Sequence, residues 1–161
     1  MKTSVKIVAC IVSFAFLLAV PSAMAQADKL IGVWKSIEFV QTSPNAVTIT
    51  NVQPQIAIFT KKYMMVMGNR SSSPRPELPE NATDAQKVAA WEPLIAESCE
   101  YEADDTKIAC KALVLKNPNV KPGDVMTFEY RFEGEYLIQI FRDIEETPRT
   151  RSFTLKYMRL E

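Results

Sequence analysis

The sequence contains no histidine, an absence that removes Ser-His-Asp and Cys-His nucleophile systems, histidine general bases and almost every transition-metal site. Charge of one sign is not in surplus either. Lys+Arg and Asp+Glu stand at 19 each, which leaves no excess to hold a nucleic-acid backbone or an acidic membrane surface. Glycine is scarce, with four residues in the chain, and no phosphate-cradling loop is among the motifs. Metal, cofactor and nucleic acid are therefore not expected. What is present, 47% apolar and 24% charged residues, is ordinary globular composition and excludes a disordered or collagen-like chain.

Long apolar runs are represented once. Lys2 and Lys6 precede the stretch from Ile7 to Val20, which is followed by Pro21 and then Ala23-Met24-Ala25. The run falls short of the roughly 20 residues a spanning helix needs, and the order of charge, apolar run and small residues is that of a secretory signal. The reading is a cleaved signal over 1–25 and a mature domain over 26–161, periplasmic or secreted, with no membrane span once the signal is gone. The alternative is an uncleaved anchor. Cys10 belongs to the signal, which leaves Cys99 and Cys110, an even number in an oxidising compartment.

The rest of the chain reads as short strands. β-Branched and aromatic runs from Leu30 to Gln41, Ala46 to Val52, Gln55 to Thr60 and Tyr63 to Gly68 are punctuated by Pro44-Asn45, Pro54 and Lys61-Lys62. A loop from Asn69 to Asn81 carries three of the prolines. Thr83 followed by Gln86 is a capping-box pattern opening one short helix from Asp84 to Trp91, stopped by Pro93. Strands return at Glu97–Ala103, Thr106–Leu115, Val125–Glu133, Glu135–Arg142 and Thr150–Leu160. Such spacing argues for a closed antiparallel barrel or a sandwich.

Registers follow from the turns. A turn at Asp104-Asp105 sets Glu102 opposite Lys107, Tyr101 opposite Ile108 and Cys99 opposite Cys110, at a Cα spacing of about 4.5–5.5 Å that a disulfide can bridge. A turn at Gly134-Glu135 sets Leu137, Gln139 and Phe141 opposite Phe132, Tyr130 and Phe128. In the last strand Phe153, Leu155 and Tyr157 form the heavier face, and Arg159 continues their phase. An inward arginine requires a partner.

Leu30-Ile31-Gly32-Val33-Trp34 near one end and Arg159 near the other resemble the Gly-x-Trp start and terminal-strand arginine of the lipocalin/calycin superfamily. A fuller similarity, to bacterial secreted lipocalin-like domain proteins, runs through Ile58-Phe59-Thr60 with Tyr63, Arg75-Pro76-Glu77-Leu78-Pro79, Ala82-Thr83-Asp84-Ala85, Ala90-Trp91-Glu92-Pro93, Lys116-Asn117-Pro118 and Glu133-Gly134. The resemblance implies an up-and-down β-barrel of eight or nine strands, closed at one end by Arg159 packed over Trp34, that binds something apolar. Glu100 stands where that family tends to carry glycine, so the disulfide rests on the register alone.

A barrel of this size holds its own side chains or one small ligand. With Trp34 inward, simple alternation sends Ser36 and Glu38 inward as well, making Glu38 a polar ligand contact unless a bulge turns it to solvent or an arginine pairs with it. Tyr63, Met64, Met65 and Met67 form an adaptable apolar strand suited to a pocket or to core. The expected ligand-lining set is Glu38, Tyr63, Met65, Tyr101, Phe128, Tyr130, Phe141 and Tyr157. The proline-rich segment and helix either cover the open end as a lid, with Trp91 near the mouth, or plug the other end. The leading function is thus non-catalytic binding of a small apolar molecule. A filled barrel that engages a protein partner through its loops is the alternative, and an isomerase using Glu38 with Tyr101 or Tyr130 is a further one.

Overall fold

In the computed structural model, which describes residues 26–146 and 149–161, side chains at 143–146 and 149–151 excepted, the chain forms nine strands and one regular helix after a helical turn at 26–28. The segment read as a signal, with Cys10, lies outside the described residues. The strands are β1 (Gly32–Ser43), β2 (Val47–Ile49), β3 (Gln55–Phe59), β4 (Tyr63–Asn69), β5 (Leu94–Ala103), β6 (Lys107–Leu115), β7 (Val125–Glu133), β8 (Tyr136–Glu146) and β9 (Arg149–Arg159); the helix α1 is Asp84–Trp91. Every strand pairs antiparallel with its neighbour. β9 returns to β1, closing an eight-stranded barrel, while β2 pairs only with the far half of β1. Among the described residues no helix is long and apolar enough to cross a membrane.

Local chemistry explains the hairpins. The Thr60 hydroxyl accepts the Tyr63 N–H at 2.9 Å in the β3–β4 turn. The Asp104 carboxylate accepts the N–H groups of Thr106 and Lys107 at 2.8 and 2.7 Å in the β5–β6 turn. Gly134 takes φ 61° in the β7–β8 turn, a conformation that costs glycine nothing. There the pairing is Phe132 with Leu137 and Tyr130 with Gln139, as the sequence predicts.

The β5–β6 hairpin differs from expectation by two residues. The turn sits one residue further along, at Asp105-Thr106, closed by Asp104 N–H to the Lys107 carbonyl at 3.0 Å, so Tyr101 pairs with Cys110 and Cys99 with Ala112. A slip of two preserves which face each side chain occupies, whereas a slip of one inverts it. Cys99 and Cys110 therefore still share the inner face, now as diagonal neighbours. Their Cα atoms are 5.5 Å apart and the disulfide is formed.

Two further expectations are corrected. The β1–β9 register shifts between Ser36 and Glu38, so a bulge inverts the phase of β1. Trp34 and Ser36 face inward, and beyond the bulge the inward positions are Phe39 and Gln41 rather than Glu38. Glu38 pairs with Lys156 on the outer phase. On β4 the inward residues are Met64 and Val66, while Tyr63 and Met65 are exposed on the outer face at 48% and 45%.

The interior is filled. Trp34, Phe59, Ile108, Leu137 and Tyr157 are each no more than 2% exposed, with Phe39, Phe132, Phe141 and Phe153 packed against them as partly buried rings. Phe39, Phe153, Phe141 and Phe128 form a continuous ladder of rings with centroid spacings of 5.5, 4.6 and 4.6 Å. Such offset contacts are worth about 0.5–1.5 kcal/mol each beyond simple burial.

Candidate functional site

The two ends of the barrel are built differently. At the end where β1 begins and β9 finishes, the Arg159 guanidinium lies 4.3 Å from the centre of the Trp34 ring. It donates to the carbonyls of Ile31 at 2.9 Å and Glu161 at 3.1 Å, and to that of Lys29. The Trp34 indole N–H donates to the Leu30 carbonyl at 2.7 Å. A Cβ on Gly32 would collide with the Glu161 carbonyl oxygen and the Arg159 side chain, at a φ of 145° that L-residues rarely adopt. The expected closure is present, with the Arg159 guanidinium and the Trp34 indole N–H bonded to backbone carbonyls.

Of the expected lining residues, Tyr101, Phe128, Tyr130, Phe141 and Tyr157 do face the interior, as core or as partly buried rings packed on it. Their phenols are already committed. Tyr101 donates to the Thr60 carbonyl at 2.7 Å, Tyr130 to the Asp104 carbonyl at 2.6 Å, and Tyr157 accepts from the Gln55 amide at 2.9 Å. Burial raises the pKa of all three, Tyr130 to about 12 with Asp105 and Asp104 adding to the effect. Neutral, hydrogen-bonded phenols of this kind are poor proton-transfer groups near pH 7. Glu38, the carboxylate paired with them in the isomerase reading, lies on the other side of the wall. Ser36 Oγ and Gln139 Nε2 are enclosed with no partner among the described residues.

The other end is open, and the structure places α1 and the proline-rich loop there. The Arg70 N–H donates to the Pro93 carbonyl at 2.8 Å, closing the excursion between β4 and β5. The helix starts on a complete capping box at Thr83 and Gln86. Its end carries no cation of its own. Lys116, from the loop after β6, supplies one, its ammonium donating to the carbonyls of Trp91, Glu92 and Leu94, the last two at 2.8 and 3.0 Å. A cation at a helix C-terminus also opposes the helix dipole favourably. Only Ala90 of α1 is buried, whereas Val88 and Trp91 are 64% and 57% exposed.

Between helix, loop and barrel mouth lies a cleft of about 940 Å³. Val88 and Trp91 come from the helix, Leu78 and Arg75 from the loop, and Ile95 and Glu97 from β5, with residues 116–120 opposite. Glu97 occupies an inward position, beside Val66 on β4, and Arg70 pairs with it at 3.4 Å. The Arg75 guanidinium rests 5.6 Å from the Trp91 ring centre. Segments 75–79, 90–93 and 116–118, which carry much of the resemblance noted above, meet around this cleft.

Sequence reasoning offered Trp91 near the mouth as one of two placements for the helix, and missed Arg70, Arg75, Glu97 and Lys116. For Glu97 the signal was available, since Ile95, Glu97, Cys99 and Tyr101 alternate on one face of β5 and a carboxylate in that series asks for a partner. The other three lie in loops, where periodicity carries no information. Among the described residues no group of three or more Cys, Asp or Glu is arranged to hold a metal ion. Comparison with protein-family models and with curated proteins gives no match for this chain.

Proposed function

We propose that this protein is a non-catalytic, periplasmic or secreted lipocalin-like barrel that binds a small molecule with an apolar body, and that the ligand sits in the cleft beneath α1 rather than deep in the barrel. The observation that carries the reading is the contrast between the two spaces. The interior is occupied by its own side chains, whereas the cleft, at about 940 Å³, falls within the range of roughly 300–1,000 Å³ typical of small-ligand sites. Exposed Val88 and Trp91 supply the kind of apolar surface that a ligand would cover. The disulfide between Cys99 and Cys110 supports an oxidising compartment.

The filled interior also favours a second reading, an interaction protein that presents α1 and its loop to a macromolecule. Titration of the folded mature chain with a neutral, environment-sensitive apolar dye separates the two. The binding reading expects saturable, stoichiometric uptake that Trp91→Ala weakens severalfold and Glu38→Gln leaves unchanged. No saturable uptake by the folded protein, or uptake indifferent to Trp91→Ala, overturns it.

A further inference from the structure

The charges around the cleft are not balanced as they are over the whole chain. Four cations line it, Arg70, Arg75, Lys87 and Lys116, against the two carboxylates Glu92 and Glu97, in a sequence whose formal charge is zero. Their engagements differ. Arg70 is paired with Glu97, and Lys116 is spent on the carbonyls at the end of α1. Among the described residues Lys87 pairs with Asp84, an i,i+3 contact whose carboxylate is 97% exposed. Arg75 lies over the Trp91 ring, and no carboxylate of the described residues pairs with it. A guanidinium held near an indole by cation–π attraction still has N–H donors to offer an oxyanion. The indole beneath is apolar surface continuous with Val88 and Leu78.

Resting on the cleft reading above, we infer that the ligand is an amphipathic anion, an apolar chain or ring system ending in a carboxylate, whose body covers Trp91, Val88 and Leu78 and whose head is held by Arg75 and Lys87. The cleft is walled by helix, loop and barrel mouth, which suits one monomeric amphiphile. A lipid surface is disfavoured by the same charge balance that argues against an acidic membrane, because the chain as a whole has no cationic excess.

The test is displacement of the neutral dye from the folded mature chain by dodecanoate, dodecan-1-ol and dodecylamine, which share one apolar body and differ in the head. Dodecanoate is expected to displace the dye at a concentration roughly tenfold below dodecan-1-ol at low salt, an advantage of the size that charge-assisted hydrogen bonds give at a partly exposed site. The advantage shrinks as ionic strength rises. Arg75→Gln, at an exposed loop position, reduces this acid-over-alcohol ratio severalfold, and Arg75→Gln with Lys87→Gln removes it. Equal displacement by acid and alcohol, or preference for the amine, overturns the assignment of charge while the cleft reading stands. No dye uptake overturns both. Cosedimentation with phosphatidylglycerol vesicles that dodecanoate does not reverse overturns the monomeric ligand in favour of a membrane surface.

Discussion

A single phenol shows how the interior ties side-chain ionisation to stability. Tyr130 is buried and donates to the Asp104 carbonyl at 2.6 Å, and burial pushes its pKa up to about 12 from the ordinary value of about 10. The folded state thus holds the phenolic proton more tightly than the unfolded chain does. Its contribution is complete below about pH 10 and is lost as pH rises through about 12. Denaturant midpoints measured across this range should fall with pH, and Tyr130→Phe should flatten that fall. The variant should also lose about 1 kcal/mol at neutral pH for the missing hydrogen bond. A wild-type midpoint that holds steady over the same range would refute the account.

At the scale of elements, legibility tracked how many physical constraints fixed each one. α1 was fully legible, because its capping box, helix-forming composition and Pro93 all specify the same boundaries. The β7–β8 hairpin was legible because Gly134 fixes the turn and alternating aromatics fix the faces. The disulfide survived a register error because its prediction needed only a shared face. What failed did so for identifiable reasons. Met64 and Val66 were indistinguishable from Met65 and Met67 because β4 is apolar on both faces. The bulge between Ser36 and Glu38, the exception the sequence reading allowed for Glu38, could not be located there because it comes from the β1–β9 pairing, a contact more than a hundred residues away in sequence. The cleft was illegible as a site, being assembled from loops that only the closed barrel brings together.

The helix makes its own prediction at this scale. With one buried residue, Ala90, α1 depends on its cap at one end and on Lys116 at the other. Lys116→Met should release the carbonyls of Trp91, Glu92 and Leu94 and lower local stability by about 1–2 kcal/mol. Backbone amides over the second half of α1 should then exchange roughly tenfold faster, with the barrel amides unchanged. Unchanged exchange in the helix would show that the loop, not the lysine, holds it.

The molecule as a whole is held closed by the pairing of its first and last barrel strands, with Trp34 and Arg159 at the seam. Trp34→Ala should cost about 3–5 kcal/mol, read from urea unfolding. Arg159→Met should cost about 2 kcal/mol through its lost carbonyl bonds. Combined, the two should cost less than their sum, since each removes the other's partner. Full additivity would mean that the stacking contact contributes nothing.

The seam also sets an order in time. β1 emerges before β9, so the edge of β1 that meets β9 stays without its partner until the seven strands between them have been made. Meanwhile β2 and β3 already occupy its opposite edge. Non-local closure of this kind is slow relative to local hairpin formation, and an open edge is a template for pairing with other chains. The interval between synthesis of β1 and arrival of Arg159 is therefore the period in which this protein is most exposed to misassembly. A chain that stops short of its final strand remains in that period indefinitely.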